Sequence, residues 1–352
     1  MSKTRLLTIN FGGLGDEVLF LPTLKSIREA HPDWHITLLL EPRSKSVCQI
    51  TDLVDDCITF DIKKKPLLPT DMLQLLSLIR KGKFDIVVSS GSSPMVSALL
   101  FLSGIKQRIG YNSNGLAPLL LTDPVPLNRD QYAGVMYHDL VRGLGIKADP
   151  QLPQVTVNQE ALSRMSSELS TATTCGATNG TQQRVVIHPG TSQLALRKGI
   201  IKTWPAANWA QLIVDLLAQN NIDVLLAGGP DDEDTIKEIQ QTLGATASHP
   251  NFRLMYGKTK NLQELVALLK LADLVVCVDS APMHIAVALN KPTVAMFAPT
   301  DPAKLIPGHP PFVALTNPAT ERQPADLPAP EPGVRIPPDT VFQIALDQLK
   351  QS

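Results

Sequence analysis

Three short runs of this chain combine residues that can move a proton or hold a phosphate. The first is Gly12-Gly13-Leu14-Gly15-Asp16, which follows the apolar run from Arg5 to Phe11. Glycines permit a tight turn and close approach of the backbone to a ligand. A carboxylate just past the carboxyl end of a strand is placed to take a proton from a hydroxyl as that oxygen attacks a carbon. Asp16 taken alone is more often the cap of the following helix. A dinucleotide site is the rival reading, because Glu41 ends the next apolar run where a ribose-binding acid would stand. The glycine spacing argues against it. GGxG is not GxGxxG, position 18 is Val, and an acid directly after the last glycine repels a pyrophosphate.

The second run is His188-Pro189-Gly190-Thr191-Ser192, continuing to Lys202-Thr203-Trp204-Pro205. Hydroxyls after a strand, with a lysine on the same loop, suit phosphate oxygens. Thr191 and Ser192 would donate hydrogen bonds and Lys202 would supply a point charge. Arg197 and Lys198 compete for that charge role, and a solvated loop with capping hydroxyls is the plainer reading of each residue alone. The third run, Asp279-Ser280-Ala281-Pro282-Met283-His284, opens a helix. Ser280 reads as its N-cap and Pro282 fits the first turn. The free amides there make an anion site, with His284 able to donate to a phosphate and Asp279 suited to hydroxyls or to orienting its neighbours. A weaker fourth run is Leu225 to Glu233, where Asp231 can accept from ribose hydroxyls or merely complement a helix start.

The elements that must position these runs alternate along the chain. Strands are expected at 5–11, 35–40, 84–89 and 108–110, and again at 184–188, 223–227, 274–278 and 293–297. Helices are expected at 22–30, 72–80 and 96–102, then at 205–219, 231–243, 261–271, 281–289 and 340–349. All-apolar strands alternating with helices imply parallel sheets covered on both faces. Residues 163–183 are rich in Ser, Thr, Asn and Gly, so the chain divides into a front domain, 1–165, a linker, 166–183, and a rear domain, 184–335. The segment 336–352 is expected to close the chain as a helix near the domain junction. The Pro-rich 302–338 cannot hold regular structure for long. In doubly wound sheets ligands bind outside the strand carboxyl ends, where all the runs above lie.

Composition narrows the partners. The 352 residues exceed one ordinary core. A net charge of -1 argues against a general nucleic-acid binder. Cys48, Cys57, Cys175 and Cys277 form no close pair and read as reduced structural thiols. The N-terminus lacks a signal-peptide core, and no apolar run approaches the ~20 residues of a membrane span. A cytoplasmic protein is expected, in peripheral contact with the inner face of the cytoplasmic membrane. Arg43, Lys45, Lys63, Lys64, Lys65, Arg80, Lys81 and Lys83 would together supply charge for that contact and for an anionic acceptor, although a solvated surface cation is the plainer reading of each alone.

Taken together, GLGD at Gly13, HPGTS at His188, KTWP at Lys202, AGGPDDE at Ala227, DSAPMH at Asp279 and APTDP at Ala298 resemble, in order, the motifs of glycosyltransferase family 9. That family includes ADP-heptose:lipopolysaccharide heptosyltransferases. The resemblance implies a GT-B fold, two Rossmann-like doubly wound domains facing a cleft, with sugar inversion and no metal. It makes Asp16 the base, with Gly13, Gly15, Lys63 and Lys64 on the acceptor side. Thr191, Ser192 and Lys202 would hold the donor diphosphate. Asp279, Ser280 and His284 would bind the donor sugar and phosphate, and Asp231 the ribose. The donor would be a nucleotide-sugar such as an ADP-sugar, the acceptor a lipopolysaccharide core or another surface glycan, and no further cofactor is expected. Ala281 and Ala298 replace glycines of the family pattern and would narrow the donor pocket. A nucleotide-sugar binder without transfer and a nicotinamide-dependent oxidoreductase are the competing functions.

Overall fold

The computed structural model describes residues 3–64, 66–113, 115–170, 182–190, 192–318 and 332–351. The chain forms two compact units, Met1–Thr156 and Val157–Ser352. In the first, the elements run β1 Arg5–Ile9, α1 Leu14–Ala30, β2 His35–Leu40, β3 Asp56–Thr59, α2 Pro69–Lys81 and β4 Ile86–Ser89. They continue α3 Pro94–Leu102, β5 Gln107–Asn112, α4 Ala117–Leu120, β6 Asp123–Pro126 and α5 Ala133–His138. The second unit has α6 Gln159–Ser170, β7 Gln183–His188, α7 Gln193–Arg197, α8 Ala206–Leu217, β8 Ile222–Leu226 and α9 Glu233–Leu243. It continues β9 Phe252–Leu254, α10 Leu262–Lys270, β10 Leu274–Val278, α11 Ala281–Ala288, β11 Thr293–Phe297, β12 Phe312–Thr316 and α12 Pro338–Gln351.

Each unit holds one six-stranded parallel sheet, ordered β3-β2-β1-β4-β5-β6 and β12-β11-β10-β7-β8-β9. The strand order reverses at β1/β4 in one sheet and at β7/β10 in the other, and ligand crevices form at such points. The central strands β8, β10 and β11 are buried along their whole length, which explains their uninterrupted apolar sequences.

The strands not anticipated from sequence, β3, β6, β9 and β12, are the four sheet edges. They are short and partly polar. β6 contains two prolines, which an edge strand tolerates because one side of it carries no ladder. β12 lies inside the Pro-rich tail, and residues 319–331 of that tail fall outside the described set.

Three further expectations are corrected. α1 starts at Leu14, not at Pro22, and carries Pro22 in its interior. Its consecutive buried residues, Val18 to Leu21, hide the helical period. The boundary between units precedes α6, which packs on α10 through Arg164 and Glu264, 2.5 Å apart. Finally, Cys48 and Cys57 form a disulfide, whereas Cys277 is a free buried thiol. Eight residues lie between the two, and the packing of the 3-10 turn Pro42–Gln49 on β3 brings them together, which spacing alone does not disclose. Cys175 falls outside the described residues. α12 packs on α8, β10 and β11, and its Val341, Ala345 and Leu349 complete the second core.

Candidate functional site

In the first unit the turn after β1 delivers Asp16 to the third position of α1. Its Oδ2 accepts a hydrogen bond from the Gly13 amide at 2.7 Å, so Asp16 does cap its own helix. Gly12 is required by this packing: a Cβ there would lie 2.2 Å from the Asp16 Cβ. Asp16 Oδ1 accepts from the Tyr137 hydroxyl at 3.2 Å. α5 packs on α1, and the Phe20 ring meets Tyr137 edge-on at 5.9 Å, which fixes the phenol. Burial, reinforced by the Asp16 charge, pushes the Tyr137 pKa well up and keeps it a neutral donor. Each carboxylate oxygen has two lone pairs, so both bonds leave Asp16 room to accept a proton.

Asp16 borders a cavity of ≈ 420 Å³ at the β1/β4 reversal. Asn10, Phe11 and Gly12 line it from the end of β1, and Ser90 to Ser93 from the end of β4. Ile62, Met72, Val96 and Leu99 give it an apolar side, while Lys63 and Tyr137 add polar groups. Lys63 donates to the Phe11 carbonyl at 2.9 Å and lies 3.6 Å from buried Glu41, which also holds Arg43 at 3.2 Å. Glu41 thus anchors two cations. Gly15 sits in the first turn of α1 beside Asp16. Lys64 is committed to Asp71 at 3.2 Å and does not line the cavity.

Beside Asp16 lies Glu17, 1% exposed. Neither of its carboxyl oxygens makes a hydrogen bond of ordinary geometry. Burial chiefly, and then the Asp16 charge, pushes its pKa well up, against a weaker pull from the Gly12 backbone and the Asn10 amide.

In the second unit the β7/β10 reversal gathers the other runs. Asp279, buried at the end of β10, takes Lys202 Nζ at 2.6 Å and the Thr300 hydroxyl at 2.7 Å on the same oxygen. The Lys202 loop is fixed by Trp204, which donates to the Ile336 carbonyl at 2.9 Å and packs edge-on against Trp209. Ser280 occupies the N-cap position of α11 with extended backbone, but its hydroxyl donates back to the Val278 carbonyl at 3.2 Å and does not cap. The expected capping bond is therefore absent. His284 is buried within the helix.

Ser192 caps α7, accepting from the Ala195 amide at 3.2 Å. Asp231 Oδ2 accepts from the Gln193 amide at 3.1 Å, which ties the acidic turn after β8 to the start of α7. Thr191 falls outside the described residues. Asp232 repeats the Asp16 arrangement: its Oδ2 accepts from the Gly229 amide at 2.7 Å, three residues back. It faces His188 at 3.7 Å, both groups buried. Burial lowers the His188 pKa and raises that of Asp232, each against the pull of the other's charge. Among the described residues, no group of three or more His, Cys, Asp or Glu is arranged to hold a metal ion, and no helix is long and apolar enough to cross a membrane.

Sequence reasoning did not single out Tyr137, Glu17, Asp232 or Thr300. Thr300 lies inside the APTDP run and Asp232 adjoins Asp231, so both were within reach. Tyr137 had no signal, since 121 residues separate it from its partner.

Two parallel doubly wound sheets, each with polar groups at its reversal point, define a protein of the two-Rossmann class. Residues 72–326 match the model of glycosyltransferase family 9 (heptosyltransferase), and the chain belongs to that family and is a glycosyltransferase. It is 28% identical over 299 residues to lipopolysaccharide heptosyltransferase 3 of Escherichia coli, covering 82% of this chain and 81% of that protein. Its fold matches the family 9 glycosyltransferase of Veillonella parvula, with a TM-score of 0.77, 22% identity and coverage of 99% and 98%. The E. coli ADP-heptose lps heptosyltransferase II matches with a TM-score of 0.74, 20% identity and coverage of 99% of each chain. These structures share the GT-B fold with this chain.

Proposed function

We propose that this glycosyltransferase moves heptose or a related sugar from an ADP-sugar to the lipopolysaccharide core or another anionic surface glycan, with inversion and without a metal. The observation that carries the reading is Asp16 at the lip of the ≈ 420 Å³ cavity, held by Gly13 and Tyr137. The acceptor sits in the first-unit cavity, with Lys63 and Arg43 meeting its negative charge. Its hydroxyl gives a proton to Asp16 and attacks the anomeric carbon from the face opposite the diphosphate. The bond to the departing oxygen breaks as the new bond forms, so the anomeric configuration inverts.

Charge grows on the diphosphate as it leaves. Lys202 and the amides of the first turn of α11 receive it, and a fixed donor in a dry site is worth a few kcal/mol, about 3 in the best-studied case. Thr191, Ser192 and His284 complete the donor contacts in this reading, and Asp231 takes the ribose. The names of the relatives support ADP and heptose as the donor.

The test combines a thermal-shift screen of ADP-, GDP-, UDP- and CDP-sugars with turnover on a delipidated core acceptor in excess chelator. A bound donor raises the apparent stability by mass action. Stabilisation by the ADP-sugar alone, and an inverted product by NMR in the presence of chelator, support the reading. Retention of configuration, or loss of turnover on chelation, overturns it. Stabilisation without any transfer points instead to a nucleotide-sugar binder.

A further inference from the structure

Nine large apolar side chains are well exposed among the described residues, and seven of them fall between residues 68 and 119. Leu73 is 65% exposed and Leu119 75%, with Leu68, Met95, Phe101, Leu102 and Leu116 near one half. The fold puts them on one layer. The crossovers through α2, α3 and α4 all step in the same direction across the sheet, from β3 towards β6, so right-handedness places the three helices on one face. Their inner sides share a core through Leu75, Ile79, Leu99, Leu100 and Ala117. Their outer sides carry Leu73, Phe101, Leu102 and Leu119, all at least half exposed among the described residues. Exposed apolar side chains concentrated on one layer in this way mark an interaction site.

The charge of the same stretch selects the partner. Between residues 72 and 122 stand Arg80, Lys81, Lys83, Lys106 and Arg108, against the single acid Asp85, in a chain whose net charge is -1. Two of these cations join the helices: Arg80 donates to the Leu102 carbonyl at 2.6 Å, and Arg108 to the Leu120 carbonyl at 2.9 Å while lying 5.7 Å from the Phe101 ring. Lys81, Lys83 and Lys106 are exposed as well, within three residues of Arg80 or Arg108 in the chain. An isologous contact with a second copy would set these cations against themselves. An anionic bilayer satisfies both the apolar and the basic component.

We propose that the outer face of α2, α3 and α4 is a membrane-docking surface. Leu73, Leu102 and Leu119 enter the headgroup boundary of an anionic phospholipid bilayer, and Lys81, Lys83 and Lys106 lie over its phosphates. Met95 joins this face to the cavity beside Asp16, because it is half-exposed on α3 and also lines the cavity. A lipid-anchored acceptor is thereby presented along the face to the cavity. That last step rests on the transferase reading, but the docking does not.

The experiment is co-sedimentation of the full chain with vesicles of phosphatidylglycerol and phosphatidylethanolamine, and with vesicles of phosphatidylcholine alone, across a salt series. Binding is expected to the anionic vesicles and to weaken as salt rises. Each basic residue at the surface contributes about fivefold in affinity. Lys106→Glu therefore lowers binding at least ~5-fold at low salt. Leu102→Ser/Leu119→Ser lowers it by roughly tenfold or more at every salt concentration. Both variants keep the wild-type thermal midpoint and normal transfer to a delipidated acceptor, so lost docking and lost catalysis are read separately. Equal binding to both vesicle types, or none to either, overturns the proposal. So does a dimer in solution that Leu102→Ser/Leu119→Ser converts to a monomer, since the face would then belong to a second copy.

Discussion

Lys202 and Asp279 form a 2.6 Å ion pair in which the acid is buried and the cation reaches the surface only in part. The lysine that would meet the donor diphosphate is thus already neutralised, and Asp279 positions it jointly with Thr300. One carboxylate oxygen of Asp279 takes both hydrogen bonds, so the acid fixes the position of the cation.

That relationship has a measurable consequence. Lys202→Met leaves a buried carboxylate with one hydroxyl for company and should cost up to about 3 kcal/mol in denaturant unfolding, somewhat below a fully buried pair because Lys202 is partly exposed. Lys202→Met/Asp279→Asn should regain most of that stability while turnover stays lost. Recovery of turnover in the double variant would show that the pair is only structural.

Asp16→Asn should keep the helix start, because an amide oxygen can still accept from Gly13. Turnover should fall by about 10²–10⁴-fold with donor protection unchanged. Tyr137→Phe removes the other hydrogen bond and should lower kcat by about tenfold with little change in KM, as expected for a loss felt in the transition state. Near-normal turnover of Asp16→Asn would remove Asp16 from the base role.

Glu17 predicts a pH effect on stability. Its folded-state pKa is raised by burial and by Asp16, so the folded chain keeps a proton that the unfolded chain releases above the ordinary carboxylate range. Stability contributed by this group is full at acid pH and falls as pH rises from that range towards the raised value. Glu17→Gln, of the same shape and uncharged, should therefore raise the thermal midpoint at neutral pH. The gap should close as the pH drops below about 4. A gap independent of pH would mean that Glu17 is not held protonated.

Gly190 is a packing requirement. A Cβ there would sit 1.6 Å from Asp232 Oδ1, so Gly190→Ala must displace the acid that caps Gly229 and faces His188. A cost of about 1–3 kcal/mol is expected by thermal unfolding. Gly190→Ala/Asp232→Ala should recover part of it, since the clash is then gone. An additive loss in the double variant would place the strain elsewhere.

Much of this was legible in the chain itself. The buried central strands announce themselves as apolar runs because both of their faces are covered, and β10 and β11 were anticipated to the residue. The functional runs are local strand-to-helix turns, so neighbouring residues specify them and Asp16, Lys202 and Asp279 could be singled out. The edge strands were not legible, since a half-exposed strand needs no apolar run. Pairings across distance were not legible either. Tyr137 reaches Asp16, Cys48 reaches Cys57 and Lys202 reaches Asp279 only once helices and strands have packed. Local sequence determined which groups could do chemistry. Tertiary packing decided which of them are already spent on one another, because a side chain's partners depend on the position of its element in the sheet and not on the residues beside it.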